Sequence, residues 1–287
     1  MIRIGPAGVP ISSKDRSTAG GIKAVSELGL NAMEIEFVRQ VYMDNKTAQE
    51  VGKVAKQLDV ELSVHAPYFI NLCTDDKAKL GASKWRILQS CERAHHMGAS
   101  IVVFHPGFYG KLSKEQAFEK VKSACEDMIE KLRAKGIKDV MLGPETMGKQ
   151  ATFGELSEII ELCRAVKGCM PTIDFAHIYA RQGGQIDFGQ VFDALSELRL
   201  KHYHCHFTCV FYSPAGIGKG NERYHLTLDK LKPDFSLLVK EVLSRRLDVT
   251  LISESPILEK DAIKLKGMFE KVGYKFRTKR DINSFLA

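Results

Sequence analysis

No two cysteines in this chain stand as Cys-x-x-Cys, and the seven present, at 73, 91, 125, 163, 169, 205 and 209, form an odd and scattered set. That excludes a secreted disulfide framework and leaves reduced thiols, the pattern expected of a cytoplasmic protein. No apolar run approaches the roughly 18 residues of a membrane span. The opening Met-Ile-Arg-Ile-Gly-Pro-Ala-Gly lacks the apolar core of a signal peptide and reads as the first piece of the fold. A Pro/Gly/Ser-rich linker is also missing, so the 287 residues fit one large α/β barrel of about 250 residues better than two domains. The expectation is a single domain over 1–287, with 275–287 as a C-terminal tail. Without a long acidic or basic extension, the chain is expected to be a compact monomer, with no protein partner and no membrane implied. Lys+Arg number 42 against 35 Asp+Glu, a formal net charge of +7, which suits a polyanionic partner without requiring one.

What is there is alternation. Ile2 to Gly5 is a short apolar run, and Gly20 to Leu30 spaces its apolar residues as a helix does. Ala32 to Phe37 sets Met33, Ile35 and Phe37 against Glu34 and Glu36, and a helical pattern follows over Asn45 to Leu58. Glu61 to Val64, Ser100 to Phe104, Val140 to Leu142, Thr172 to Ile173, His202 to Phe207 and Val249 to Ile252 repeat the short-strand pattern. Helical segments follow near Lys77–Met97, from Ser113 with Glu115 and Gln116 in its first turn, over Phe153–Val166, Phe188–Leu198, Phe235–Arg245 and Leu258–Val272. Eight strand-helix units in order predict a (β/α)8 TIM barrel.

In such a barrel the active site lies where strands end and loops lead into helices. His65 follows strand three, His105 strand four, Glu145 strand five, Asp174 strand six, with His177 in what reads as a loop, His206 strand seven and Glu254 strand eight. A lone histidine at a strand end is more often structural, and a lone carboxylate is usually a cap for the next helix. Caps and core histidines have no reason to share one rim position on six consecutive strands, so the set points to a metal or catalytic centre of nitrogen and oxygen ligands suited to zinc or manganese. His204 competes with His206, because residues two apart on a strand face the same side, and the position nearer the strand end is preferred. Gly216-Ile-Gly218-Lys-Gly220 fails as a phosphate loop on context, since it neither follows a strand directly nor opens a helix.

His65-Ala-Pro-Tyr68-Phe-Ile-Asn-Leu, Phe104-His105-Pro-Gly, Gly-Pro-Glu145 and Asp174-Phe-Ala-His177 together resemble the endonuclease IV family of apurinic/apyrimidinic nucleases, within the wider xylose isomerase-like barrels. The resemblance spans strand one to strand eight. It implies hydrolysis of the phosphodiester 5′ to an abasic site in duplex DNA by two or three zinc ions, with manganese an alternative. His65 and His105 would hold the first metal, and Glu145, the catalytic bridging carboxylate, would join it to a second held by Asp174, His206 and Glu254. His177 and His225 would hold the third. Tyr68 would press into the DNA beside the lesion. Apart from the resemblance, Arg39 is a candidate contact to the damaged strand, where an exposed arginine is more often a solvated surface charge, and Lys275 to Arg280 either touches phosphates or is a frayed tail. The family places an Asp-x-His pair after strand seven. This chain reads Asn221-Glu222-Arg223-Tyr224-His225, with Arg223 at the carboxylate position and Glu222 one residue further off. The alternative is a sugar isomerase or epimerase of the same barrel group, using Glu145, Asp174, His206 and Glu254 around one divalent metal. A catalytically silent nucleic-acid-binding barrel is a third reading.

Overall fold

The computed structural model describes residues 1–230 and 232–276. Its frame is a ring of parallel strands: β1 (Ile2–Pro6), β2 (Ala32–Glu36), β3 (Glu61–His65), β4 (Ile101–Phe104), β5 (Met141–Pro144), β6 (Thr172–Asp174), β7 (Tyr203–Phe207) and β8 (Val249–Ser253). They pair as two runs, β1-β8-β7-β6 and β2-β3-β4-β5. Isolated parallel bridges stitch the runs together, Ala7 to Glu34 on one side and Leu142 to Cys169 and Glu145 to Thr172 on the other. The ring therefore closes, and the expected (β/α)8 barrel is what the chain forms. The seam between β1 and β2 depends on Gly5, where an added Cβ would sit 1.6 Å from the Ala32 carbonyl oxygen.

Helices α1 (Thr18–Glu27), α2 (Asn45–Leu58), α3 (Lys77–Met97), α4 (Lys114–Ala134), α5 (Leu156–Ala165), α6 (Phe175–Arg181), α7 (Phe188–Leu195), α8 (Phe235–Ser244) and α9 (Glu259–Lys271) surround it. Their starts follow capping chemistry: Ser17, Asp44, Asp76 and Asp187 each accept a backbone N–H of the first turn, and Ser113 forms a capping box with Gln116. The expected helix over Phe153–Val166 starts later. Thr152–Phe153 is a short strand paired with Gly107–Phe108, Gly154 takes a φ of +137°, and α5 opens only after Glu155.

Strand alternation sorts the core. Met33, Ile35 and Phe37 pack into the apolar layer beneath the helices, as do Cys205 and Phe207. Tyr203 and Phe207 meet Phe192 and Phe235 edge-on there. The other faces of β2 and β7 turn into the barrel and carry Glu34, His204 and His206, all buried. His202, expected on that same face, lies outside β7 and half-buried, with its Nδ1 2.6 Å from Asp248 Oδ1. The glycine-rich stretch after strand seven is the end of a hairpin, Cys209–Pro214 against Gly220–Leu226.

Candidate metal centre

Register brings the strand ends level. Glu36 pairs with His65, His65 with Val103, and Asp174 with His206, while a bridge joins Glu145 to Thr172. Side chains that leave these positions meet over the mouth of the barrel. Glu145 is at the middle and fully buried: its Oε2 lies 3.0 Å from His105 Nε2 and 3.5 Å from His65 Nε2. Its Oε1 lies 3.2 Å from His177 Nδ1 and 3.3 Å from His206 Nδ1. Each oxygen of one carboxylate thus faces a different pair of histidines. Glu254 Oε1 completes the second side at 3.3 Å from His206 Nδ1.

Asp174 ends β6 and caps α6, its Oδ1 accepting the His177 N–H at 2.7 Å. His177 is therefore in the first turn of a helix and not in the expected loop, because one carboxylate ends the strand and starts the helix. The rings are oriented by main-chain carbonyls. His65 Nδ1 is 2.8 Å from Ala66 O, His177 Nδ1 2.9 Å from Thr146 O, and His225 Nδ1 3.1 Å from Glu254 O. A nitrogen that donates to a carbonyl leaves the other as a ligand, so Nε2 of each turns to the site.

The hairpin supplies the rest. Glu222 Oε2 is 3.3 Å from His177 Nε2, and its Oε1 is 3.9 Å from His225 Nε2. Arg223, which stands at the carboxylate position of the resembled family, is exposed and donates from Nε to Ser213 Oγ on the partner strand at 2.9 Å. The pairing steps from Phe211–Tyr224 to Tyr212–Glu222, leaving Arg223 as the extra residue of a β-bulge. Glu222 is held where it is by its N–H to the Gly148 carbonyl, and Gln150 ties the same loop to Asn221 and Gly220. Arg181, buried, donates to the Met147, Lys149 and Thr152 carbonyls and fixes that loop from below.

Four groups of side chains stand close enough to share a cation: His65, His105 and Glu145; Glu145, Asp174, His206 and Glu254; His177, Glu222 and His225; and Glu34, His204 and His206. The site residues expected from the sequence are brought together, with the exception of Arg39, which is exposed on the loop after β2 and makes no hydrogen bond or ion pair to the cluster among the described residues. Glu34, Glu36 and Glu222 belong to the site and were not expected there. The reading of Lys275 to Arg280 lies, beyond Phe276, outside the described residues.

A metal fits this set. His65 Nε2, both oxygens of Glu145, Asp174 Oδ2 and His206 Nδ1 are buried without a hydrogen-bond partner, although buried polar groups are as a rule satisfied. These are the atoms that face the shared space, and imidazole nitrogens with carboxylate oxygens are the donors zinc takes. Protonation is displaced accordingly. Burial would raise the Glu145 carboxyl, but His105, His177 and His206 hold it well below the usual range. Burial dominates at Asp174 and Glu36 and pushes each to about 7. At His65 burial pushes the ring down, and Glu36 and Glu145 more than reverse it, to about 10.

Over the cluster lies a cavity of about 260 Å³, walled by Tyr68, His105, Phe108, Lys149, His225 and Glu254 among others. Tyr68 stacks on His105 with ring centroids 5.5 Å apart and donates to Glu36 Oε2 at 3.2 Å. A larger hollow of about 580 Å³ beside α5 contains none of the clustered side chains. Among the described residues no helix is long and apolar enough to cross a membrane.

Comparison with known proteins places this geometry. Residues 22–256 match the family described as the xylose isomerase-like TIM barrel. An uncharacterized protein of Methanocaldococcus jannaschii is 35% identical over 95% of this chain and 98% of its own length. A probable endonuclease 4 of Mesomycoplasma hyopneumoniae is 30% identical over 52% of this chain and 53% of that relative, about half of each. The crystal structure of endonuclease IV from Thermus thermophilus superposes with a TM-score of 0.67 at 22% identity, covering 93% of this chain and 99% of that one. D-psicose 3-epimerase from Clostridium cellulolyticum superposes nearly as well, with a TM-score of 0.65 at 13% identity over 92% and 96%.

Proposed function

The chain belongs to the xylose isomerase-like TIM barrel family, and from that premise we propose that it is a metal-dependent phosphodiester hydrolase that incises duplex DNA on the 5′ side of abasic sites. The observation that carries this reading is Glu145, whose Oε2 faces His65 and His105 while its Oε1 faces His206 beside Glu254. A carboxylate so placed could be shared between two cations, one held by His65 and His105 and one by Asp174, His206 and Glu254, and His177, Glu222 and His225 would offer a third position. When bound, such metals would supply an activated water as nucleophile and stabilise the attacking and leaving oxygens. Zinc suits the donors, and manganese is the alternative.

The protein's own part is placement. Glu145, Asp174 and Glu254 offset the positive charge of the ions, and Tyr68 and Phe108 wall a cavity sized for a sugar phosphate. Lys149 is the cation on that wall, placed to meet a phosphate oxygen. Tyr68 is packed on His105 in the free protein, so its action on DNA is to cover the lesion from a fixed position. The net charge of +7 favours approach to a polyanion. The proposed unit is a single chain on duplex DNA, and the relative named as a probable endonuclease 4 supports the nuclease reading.

Glu145, Asp174, His206 and Glu254 alone would also serve a one-metal sugar epimerase, and an epimerase shares the fold. Such a reaction has no use for His65, His105, His177, Glu222 and His225 in two further clusters. The test is incision of a labelled duplex bearing a stable abasic analogue by the protein as purified, after chelation, and as His105→Ala. Cleavage 5′ to the analogue that disappears in the last two samples is expected. A folded, metal-loaded protein that leaves the duplex whole but epimerises a ketose sinks the nuclease reading in favour of the sugar enzyme.

A further inference from the structure

Below the rim, β7 carries a second histidine on the same barrel-facing side as His206, and opposite both stands Glu34 of β2. Glu34 is fully buried. Its Oε2 accepts from Ser63 Oγ at 2.7 Å and lies 3.0 Å from His204 Nε2. Its Oε1 lies 3.0 Å from His206 Nε2, an ion-pair distance without hydrogen-bond alignment, and neither of these two buried atoms has a hydrogen-bond partner.

We propose that Glu34 is a positioning residue that keeps the proton of His206 on Nε2 and so makes Nδ1 the metal ligand; the inference rests on the metal reading above. A buried carboxylate needs donors, and Ser63, His204 and His206 are the groups that surround this one. With the proton on Nε2, His206 Nδ1 presents a lone pair to Glu145 Oε1 and Glu254 Oε1, each 3.3 Å away. Three acceptors facing one another repel unless a cation stands among them. The same proton placement therefore faces Glu34 and leaves the other side of the ring open to a cation. Where His65, His177 and His225 give their second nitrogen to main-chain carbonyls, His206 turns its own toward a carboxylate at 3.0 Å, and a hydrogen bond made there would fix the ring and raise its basicity as a ligand. His204, whose Nε2 meets Glu34 and not the rim, serves as a support for the carboxylate. That resolves the competition between the two histidines.

The test is competition for zinc between a chelator and the full chain, for wild type, Glu34→Gln and His204→Gln, with metal content counted and ¹⁵N imidazole spectra recorded on the zinc-loaded wild type. Glu34→Gln is expected to weaken one zinc position by about 10–100-fold, the usual cost of losing such a partner, and to leave the others unchanged. The wild-type spectrum is expected to show His206 protonated at Nε2 and ligated at Nδ1, a readout that does not depend on whether the variants fold. Unchanged affinities in Glu34→Gln, or a His206 ring protonated at Nδ1, overturn the proposal. So does the loss of one whole metal equivalent in both Glu34→Gln and His204→Gln with the remaining affinities intact, because the cation would then lie between those two residues themselves. A wild-type protein that takes up no divalent metal refutes the metal reading and this inference with it, whereas metal uptake indifferent to Glu34 refutes the inference alone.

Discussion

Replacing Glu222 by alanine removes the carboxylate that meets both His177, at 3.3 Å, and His225, at 3.9 Å, and so tests whether a third metal position exists. Two imidazoles would remain. Loss of an outer partner of a metal ligand typically costs about 10–100-fold in affinity, and loss of a ligand costs more, so a drop of at least about 100-fold is expected. That is about 2.7 kcal/mol at about 1.36 kcal/mol per tenfold. The assay is metal content after dialysis against a fixed low concentration of zinc, followed by incision kinetics on an abasic duplex. Glu222→Ala is expected to lose one equivalent, with a rate lower by about 10²-fold if that ion stabilises a charged oxygen in the transition state. Arg223→Ala is the control. Its side chain is exposed and hydrogen-bonded to Ser213, and metal content is expected to stay as in the wild type. An Arg223→Ala protein that loses the equivalent while Glu222→Ala keeps it refutes the reasoning.

Gly148→Ala is expected to produce the same metal deficit by steric means. The new Cβ would lie 2.6 Å from Glu222 Cβ and 3.1 Å from His177 Cδ2, and overpacking of that order costs about 1–3 kcal/mol; metal counts equal to wild type with an unchanged melting temperature contradict it. Gly5→Ala is expected to prevent cooperative folding, because the clash at 1.6 Å is with the Ala32 main-chain carbonyl, which no rotamer change relieves; an unchanged urea midpoint counts against the barrel seam. The pH dependence follows from two groups. His65, raised to about 10 with burial opposed by Glu36 and Glu145, stabilises the metal-free fold fully below about pH 6.5, and that contribution is lost as pH rises through 10. Asp174, raised to about 7 chiefly by burial, contributes stability below its unfolded value near 3.9 that is lost as pH rises through 7. Metal needs both groups deprotonated, so loading is expected to release protons, and the melting-temperature gap between loaded and metal-free protein to widen with pH. A gap that is flat from pH 6 to 9 refutes this assignment.

The rim ligands were legible because two signals coincide in them: a short apolar run marks a strand, and the residue that ends it carries a ligand atom. His65, His105, Glu145, Asp174 and Glu254 satisfy that rule at or just past their strand ends, His206 sits one residue before the end of β7, and the closed ring of strands makes these ends converge. Glu34 and Glu36 were missed, although their alternation with Met33 and Ile35 is plain in the sequence. Alternating acids ordinarily mean a face turned to water. In an all-parallel barrel no strand face sees water, so acids alternating on β2 had to point inward, toward β3 and β7, and the signal was present once the fold was chosen.

Glu222 differs in kind. On a regular strand residues three apart point to opposite faces, so Glu222 and His225 would not share a cation, and an Asp-x-His spacing would be the one to expect. The hairpin inserts one residue, Arg223, as a bulge between Phe211–Tyr224 and Tyr212–Glu222, and one extra residue returns Glu222 to the side of His225. The departure in spacing and the bulge are thus the same fact, each offsetting the other. No local pattern in Asn221 to His225 reveals it, because a bulge is defined by the strand opposite, Cys209–Pro214, and only pairing tells which residue is the extra one. That is why the third cluster needed three dimensions when the first two did not.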